Sequence, residues 1–482
     1  MPAPRKKKAA APPLGRYLRR FTLQNVRTFR SPVTLDFCHA DGCVAQWTVI
    51  LGENGTGKTT LLQYLAGMNL ASRRPSLEEG PPDIGPMFLN PEWESWHISN
   101  LPSSDSRLTI DADLKLSDGA SQIWNARPVA DENEHAIRLK MSFWRHEDRI
   151  QLRGLGMWSS RHERVAEQFR LFAYGASRHV ASAASPYVSS ETFFQNGGSD
   201  STSTLYHDDY PLISPEQWFL GLDHASNLVG VAGKAAHIAF ESAKRCLKSA
   251  LPGLKDLAVK PQKSGKGQPV MTLMCKTPFG EVPFSALSVG YRTMAAWLTD
   301  FIKRMHEAFP EMEEPDNGPA VVLIDEFDLH MHPKWQREAM AALSAEFPNT
   351  QFIVTAHSPL VVQATEGDAR IIVLRRKQRE DGTEEVEVIN DPHYAAGWRV
   401  DQILTSDLYD LPPRSPKFAE LMEERIRLRQ KEKRTKTEEK RLAKVESELD
   451  QEAPPESAPE SERLLSKLER ALDRAEAKQM AK

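Results

Sequence analysis

Residues 52–59, GENGTGKT, combine glycines with a lysine and a threonine at the spacing of a phosphate-binding loop. Glycine lets the chain fold tightly enough for successive backbone N–H groups to face phosphate oxygens, and a helix that follows would add its positive N-terminal end. Lys58 would reach the β- and γ-phosphates, and the hydroxyl of Thr59 would coordinate Mg²⁺. The sequence therefore predicts a site for ATP and Mg²⁺, formed by Asn54, Gly55, Thr56, Gly57, Lys58, Thr59 and Thr60.

Two acidic residues directly follow a short apolar run, residues 320–324, which is typical of a buried strand in a parallel sheet. At the carboxyl end of such a strand, Asp325 would hold Mg²⁺ through a water and Glu326 would polarise the attacking water. The alternative is an acidic pair that only caps a helix. His330 and His332, further along, fit a turn that faces a second subunit better than they fit a metal site.

Two weaker motifs lie on either side of the acidic pair. Residues 287–290, LSVG, begin an amphipathic helix, so Ser288 and Gly290 would present a hydroxyl and backbone N–H groups to an anion. One chain cannot easily bring this turn and its own phosphate loop to the same nucleotide. His357 follows another apolar run, 351–355, and would donate a hydrogen bond to the γ-phosphate. The candidates for catalysis are therefore Lys58, Glu326 and His357.

These motifs require an α/β fold to position them, because they stand next to apolar runs. Residues 47–51 predict a short strand before the phosphate loop, and a helix is expected from 59 to about 66. Residues 21–37 alternate between apolar and polar types and predict an antiparallel hairpin. Residues 107–116 and 137–143 alternate in the same way. We therefore predict a mixed β-sheet flanked by helices, with an additional group of β-strands.

Shifts in composition divide the chain into segments. The start is rich in proline, alanine and lysine and is expected to be disordered, whereas the end is rich in charged residues with leucines at helical spacing. That charged tail either docks on a partner, pairs as a short coiled coil, or binds nothing. The predicted domains are a basic arm (1–15), a nucleotide-binding head (16–375) with a β-subdomain (about 105–150) and a helical insertion (about 160–255), a hairpin and connecting segment (376–414), and the charged helical tail (415–482).

The composition excludes several classes of protein. No run approaches the roughly 20 apolar residues of a membrane helix, and the basic start lacks the apolar core of a secretory signal. Four cysteines in 482 residues fit a reducing compartment. We therefore expect a cytoplasmic protein that does not bind membranes. With a formal net charge of −4, any contact with DNA must come from a local patch, the basic arm being one candidate.

The order of these motifs resembles that of ABC-type ATPases of the RecF/SMC/OLD branch, over about the first 375 residues. The resemblance implies an α/β P-loop NTPase head of ABC type, in which the LSxG turn of one head contacts the ATP held by another. Ser288 and Gly290 would then act in trans and His357 in cis, within a homodimer or higher homo-oligomer formed through the heads. The signature reads LSVGY rather than LSGGQ, and no Q-loop glutamine can be assigned.

Finer features narrow the resemblance. Residues 172–178, 287–292, 324–336 and 351–359 are similar to segments of the ATPase components of Septu-type and related retron antiphage systems, which work with a separate HNH nuclease. This implies a regulatory ATPase that controls a nuclease effector. Two alternatives stay open: a RecF-like ATPase that clamps DNA between its heads, and a scaffold that binds ATP without hydrolysing it. A transporter ATPase fits least, because the signature is degenerate and the insertions are long.

Overall fold

The computed structural model describes residues 15–67, 169–178, 201–208, 210–263, 269–365, 369–379, 381–392, 397–406, 408–409, 416–431 and 435–452, and the backbone of five strands between residues 70 and 153. Residues 1–14 of the predicted arm and 453–482 of the predicted tail lie outside the described residues. The chain divides into two compact units, residues 1–403 and 404–482.

The elements are numbered here in chain order. The described strands are β1 Arg16–Gln24, β2 Val33–Asp36, β3 Trp47–Gly52, β4 Leu70–Ser72, β5 Ile84–Pro86, β6 Arg107–Leu116, β7 Ala136–His146, β8 Arg149–Arg153, β9 Leu171–Tyr174, β10 Asp256–Lys263, β11 Pro269–Thr277, β12 Gly280–Pro283, β13 Ala320–Ile324, β14 Thr350–Thr355, β15 Arg370–Gln378 and β16 Glu384–Asn390. The described helices are α1 Lys58–Ala66, α2 Ser203–Tyr206, α3 Pro215–Ser226, α4 Val231–Ala250, α5 Val289–Ala308, α6 Pro333–Glu346, α7 Pro359–Ala364, α8 Val400–Leu404, α9 Pro416–Arg429 and α10 Lys436–Glu452.

A six-stranded sheet in the order β16-β15-β3-β14-β13-β9 forms the centre of the first unit. All neighbouring strands are parallel except β15 and β16, which form an antiparallel pair. Strands β13 and β14 are buried along their whole length, as continuous apolar runs in parallel sheets usually are. Because the strands are parallel, the carboxyl ends of β3, β13 and β14 meet at one edge. The predicted mixed sheet is confirmed.

A second, antiparallel sheet has the strand order β2-β1-β6-β7-β8. The predicted hairpin of β1 and β2 and the strands predicted near 107–116 and 137–143 are all present in it. Its inner side chains, such as Phe21 and Leu23, share one apolar core with α1 and the central sheet. Each such buried side chain stabilises the fold by about 1.5–3 kcal/mol.

A buried amide joins the two sheets. Gln351 of β14 accepts a hydrogen bond from the backbone N–H of Leu18 and donates one to its carbonyl, both at 2.9 Å. These contacts occur where the pairing of β1 with β6 shifts register, between Leu18 and Arg20. The side chain of Gln351 thus satisfies both backbone polar groups of Leu18 beside the register shift.

Two sequence predictions need correction. The segment at about 160–255, predicted as a helical insertion, begins with β9, which is an edge strand of the central sheet beside β13. The late hairpin is present as β15 and β16, but the boundary predicted between residues 375 and 376 falls inside β15. Because β15 begins at Arg370 and pairs with β3, the hairpin belongs to the central sheet.

Helices α3, α4 and α5 pack together beside the small antiparallel sheet of β10, β11 and β12. Helix α5 follows the LSVG motif and buries an apolar face that includes Trp297 and Phe301. It also carries the buried carboxylate of Asp300, which accepts hydrogen bonds from Tyr174 of β9 and from Arg304. The helix behind the LSVG motif is thus anchored to the strand next to β13.

The second unit contains a pair of helices with a small core of its own. Phe418 and Leu421 of α9 pack against Val445 and Leu449 of α10. Two ion pairs, Arg429 with Glu446 and Arg441 with Glu424, also join these helices. No helix among the described residues is long and apolar enough to cross a membrane.

Candidate nucleotide-binding site

The phosphate loop, residues 52–59, leaves the carboxyl end of β3 and enters α1, as its motif predicts. Gly57 is the residue before the helix and has a left-handed φ of 93°, and a Cβ there would come within 2.9 Å of the Phe29 ring. No side chain caps the start of α1. Its first backbone N–H groups can therefore serve phosphate oxygens.

Lys58 is buried within this loop, 6% exposed. Its Nζ donates to the carbonyls of Gly52 at 2.8 Å and of Glu53 at 3.0 Å. Burial lowers the pKa of Lys58, and the nearby carboxylates of Asp325, Glu326 and Asp328 act in the opposite direction. The loop thus holds a cation close to three acidic side chains, in a position to neutralise phosphate charge.

The other loop residues fall into two groups. Asn54 and Gly55 are exposed, and the carbonyl of Asn54 accepts a hydrogen bond from Arg376 at 2.7 Å. Thr56 and Thr60 are buried: Thr56 donates to the carbonyl of Glu53, whereas Thr60 accepts from Arg27 at 2.9 Å. The buried threonines therefore shape the loop, while the exposed residues face the side from which a ligand would approach.

Thr59 and Asp325, the predicted Mg²⁺ residues, lie together although they are far apart in sequence. The Thr59 hydroxyl donates to Oδ2 of Asp325 at 2.7 Å. Because the hydroxyl hydrogen is used on Asp325, the lone pairs of Thr59 remain available to a metal ion. A hydroxyl beside a carboxylate offers the hard oxygen ligands that Mg²⁺ prefers. The residues present therefore fit Mg²⁺.

Thr355, at the end of β14, connects the two acidic residues. Its hydroxyl donates to Oδ1 of Asp325 at 2.5 Å and accepts from the backbone N–H of Glu326 at 2.8 Å. Glu326 has a φ of 47°, a left-handed conformation that costs energy for any residue with a Cβ. The hydroxyl of Thr355 therefore fixes both the carboxylate of Asp325 and the backbone that carries Glu326.

Replacing Thr355 with valine removes this hydroxyl and leaves the volume of the side chain nearly constant. We expect the free energy of unfolding to fall by about 1–3 kcal/mol, because two buried polar groups lose a partner. Thr350→Val is the matched control, since Thr350 is equally buried on the same strand and, among the described residues, its hydroxyl has no hydrogen-bond partner. Urea denaturation measures both changes, and equal losses for the two variants would contradict this interpretation.

The signature turn, residues 287–290, lies at the surface. Ser288 and Val289 are exposed, and the side chain of Ser288 does not cap the start of α5. Gly290 has a packing role in its own head, because a Cβ there would lie 2.3 Å from the carbonyl oxygen of His330. The turn is thus accessible to a second molecule and closely packed against the residues that follow the acidic pair.

His357 is exposed just beyond the end of β14, and its backbone N–H donates to the carboxylate of Asp328 at 3.2 Å. His332 precedes α6, and its Nδ1 accepts the backbone N–H of Lys334 at 3.3 Å. His330 is exposed on the turn between β13 and α6. His332 therefore acts as a helix cap, whereas His357 is exposed at the sheet edge where β14 ends.

The structure brings Lys58, Thr59, Asp325 and Glu326 to one edge of the sheet, and places His357 after the neighbouring strand. Sequence reasoning missed two residues that contact this group, Thr355 and Arg178, and it also missed Arg27, which donates to Thr60 of the phosphate loop. Thr355 ends a predicted strand beside the acidic pair, so its position could have been found. Arg27 and Arg178 lie in turns, and no spacing rule marks them.

Comparisons with known proteins support an ATPase domain. Residues 198–363 match a family model described as "AAA domain, putative AbiEii toxin, Type IV TA system", and residues 20–70 match one described as "AAA domain". These ranges contain the phosphate loop, the signature turn and the acidic pair. The chain has an α/β P-loop ATPase domain.

The retron Vc95 probable ATPase of Vibrio cholerae serotype O1 biovar El Tor is 46% identical over 82 residues, which cover 17% of this chain and 16% of that protein. The Septu protein PtuA of Bacillus mycoides strain KBAB4 is 21% identical over 412 residues, covering 85% of this chain and 47% of that protein. The matches thus span less than half of either relative. They confirm the similarity to retron ATPases and to Septu proteins that the motifs indicated.

Among solved structures, an SMC head bound to the C-winged helix domain of ScpA is similar, with 14% identity and a TM-score of 0.42. The match covers 78% of this chain and 98% of that one. The strand order and the phosphate loop establish the fold on their own.

Proposed function

From the similarity of its ATPase domain to retron and Septu ATPases, we propose that this chain is a Mg²⁺-dependent ATPase of a bacterial antiphage defence system. One observation carries the proposal: the phosphate loop and the acidic strand end meet, with Thr59 Oγ1 2.7 Å from Asp325 Oδ2. This contact supports assigning phosphate binding to Lys58, Mg²⁺ binding to Thr59 and Asp325, and general base catalysis to Glu326.

Each side chain has a distinct task in this proposal. Lys58 and the start of α1 bind the phosphates, which requires Lys58 to exchange its carbonyl partners for phosphate oxygens. Thr59 and Asp325 hold Mg²⁺, which when bound offsets the charge of the β- and γ-phosphates. Glu326 accepts a proton from the attacking water, and His357 donates to the γ-phosphate.

We further propose that two heads associate on ATP. The signature turn is exposed, and the Ser288 side chain does not cap α5, so its hydroxyl and the helix N-terminus can bind the triphosphate of a second subunit. A cycle of ATP-driven association and hydrolysis would then control a separate nuclease effector of the HNH type. This last step rests on the resemblance of the motifs to Septu-type and related retron systems.

Titrating ATP in the presence of Mg²⁺ tests the proposed function. We expect Lys58→Ala to weaken ATP binding about 10- to 100-fold, because a charge-assisted contact to phosphate is lost. Lys334→Ala is the control, since Lys334 is a lysine that is 78% exposed at the start of α6. Isothermal titration calorimetry gives both dissociation constants. A wild-type protein that does not bind ATP, or a Lys58→Ala variant that binds it equally well, would refute the proposal.

A further inference from the structure

Arg178 is a buried cation beside the candidate site. It lies in the turn that follows β9 and is 2% exposed. Its Nε donates to the carbonyl of Gly175 at 3.1 Å, and its Nη2 donates to the carbonyl of Glu326 at 2.8 Å and to that of Asp325. One guanidinium thus binds the backbone of both acidic residues.

The fold explains how a residue so distant in sequence reaches this place. Strand β9 pairs in parallel with β13, and the backbone N–H of Asp325 donates to the carbonyl of Tyr174 at 2.8 Å. The turn after β9 therefore lies at the same sheet edge as the acidic pair. Arg178 has a φ of 40°, a left-handed conformation that is uncommon for arginine. The turn is thus tightly constrained as it directs the guanidinium inward.

The charges around Arg178 explain why it stays ionised inside the protein. Burial lowers the pKa of Arg178 to about 10, and the carboxylates of Asp325, Glu326 and Asp328 counteract part of this shift. At neutral pH the guanidinium is therefore positive. A buried charge is tolerated only when it is well compensated, and here carbonyl oxygens and nearby carboxylates provide the compensation.

The backbone of Glu326 is held from both sides. Its N–H donates to Thr355, its carbonyl accepts from Arg178, and its left-handed φ lies between these two contacts. A strained backbone conformation persists only where surrounding contacts enforce it. Without Arg178, the carbonyl of Asp325 loses this donor and that of Glu326 keeps only the backbone N–H of Leu329, at 3.0 Å. Glu326 can then relax to an ordinary conformation that directs its carboxylate elsewhere.

We propose that Arg178 is a positioning residue, which holds the backbone of Glu326 so that its carboxylate meets the attacking water. This inference rests on the proposed ATPase function. Arg178 acts through Glu326 and not through the nucleotide, so its loss should affect turnover far more than nucleotide binding. The shape of the guanidinium matters because two of its nitrogens bind three carbonyls: Nε binds that of Gly175, and Nη2 binds those of Asp325 and Glu326. Lysine has only one nitrogen and cannot reproduce this arrangement.

Steady-state phosphate release by full-length Arg178→Ala and Arg178→Lys tests the inference. We expect Arg178→Ala to lower kcat about 10- to 100-fold with KM changed less than about threefold, because a displaced base loses its alignment with the water. Arg178→Lys should fall in between. Guanidinium ions added at millimolar concentration should restore part of the kcat of Arg178→Ala and leave that of Arg178→Lys unchanged.

Arg370→Ala is the matched control. Arg370 is also a buried arginine, 8% exposed, that pairs with Asp391 at 2.7 Å. It begins β15 opposite Thr48, at the amino edge of the sheet away from the site. Arg370→Ala should lower the Tm and keep kcat and KM.

An unchanged kcat in Arg178→Ala would overturn the role of Arg178 and leave the proposed ATPase function intact. The same holds if ATP binding falls in parallel with kcat and guanidinium restores neither. If Arg178→Ala does not fold, Arg178→Lys provides the test: a lowered kcat with KM nearly unchanged supports the inference, and an unchanged kcat overturns it. A wild-type protein without ATPase activity would overturn the proposed function, and the role of Arg178 with it.

Discussion

Glu326→Gln is expected to lower kcat for ATP hydrolysis about 10²- to 10³-fold and to leave the dissociation constant for ATP within about threefold. Glutamine has nearly the same shape but cannot accept the proton of the attacking water. The backbone contacts of residue 326 with Thr355 and Arg178 do not involve the side chain, so they are retained. Binding and hydrolysis should therefore separate in this variant.

Phosphate release under saturating ATP, together with calorimetric titration, measures the two quantities. Glu338→Gln is the control, because Glu338 is an exposed glutamate on the neighbouring helix α6. If Glu326→Gln hydrolyses ATP at the wild-type rate, Glu326 is not the base. If neither protein hydrolyses ATP but both bind it, the chain is the non-hydrolysing scaffold that the sequence left open.

Ser288→Arg should abolish ATP-dependent association of two heads and reduce kcat more than about 100-fold, while each chain still binds ATP. The expectation follows from the exposed position of Ser288 outside its own phosphate loop. An arginine there would block the approach of a second triphosphate to the start of α5. Since P-loop contacts within one chain are unchanged, the affinity for ATP should change by less than about tenfold.

Light scattering with and without ATP, in the Glu326→Gln background to prevent turnover, reports on association. Ser249→Arg is the control, since Ser249 is an exposed serine on α4. ATP-dependent association that persists in Ser288→Arg would refute the role of the signature turn in trans. A chain that stays monomeric with ATP in the Glu326→Gln background would refute the proposed dimer itself.

The sequence predicted those parts of the site that are encoded by side chains at fixed spacing. The phosphate loop, Asp325 and Glu326 stand at the ends of apolar strands, and parallel pairing then brings the strand ends together. Residues 172–178 were noted for their resemblance to other ATPases, but the role of Arg178 could not be predicted. Its partners are the carbonyls of residues about 150 positions away, and a carbonyl leaves no trace in the sequence.

The fold was predicted where periodicity is strong and missed where elements are short. Strand β9 has four residues, so its apolar run shows no period that separates strand from helix. Strand β10 was missed because Lys260, Pro261 and Gln262 break its pattern, although its pairing with β11 is continuous. The sequence does not show which strand pairs with β3, because only the tertiary structure decides this. The place of the β15–β16 hairpin in the central sheet could therefore not be predicted.

The absent side chain at Gly290 has a wider consequence for a paired assembly. In the proposed dimer each head would touch two ATP molecules, one through its phosphate loop and one through its signature turn. Within the head the signature turn packs against the carbonyl of His330, where even a methyl group would not fit, and His330 lies on the turn that follows the acidic pair beside the phosphate loop. A displacement of this turn at one nucleotide is therefore expected to move the signature turn at the other. We therefore expect the two nucleotide sites of the dimer to be cooperative, so that ATP bound at one site changes the affinity of the other.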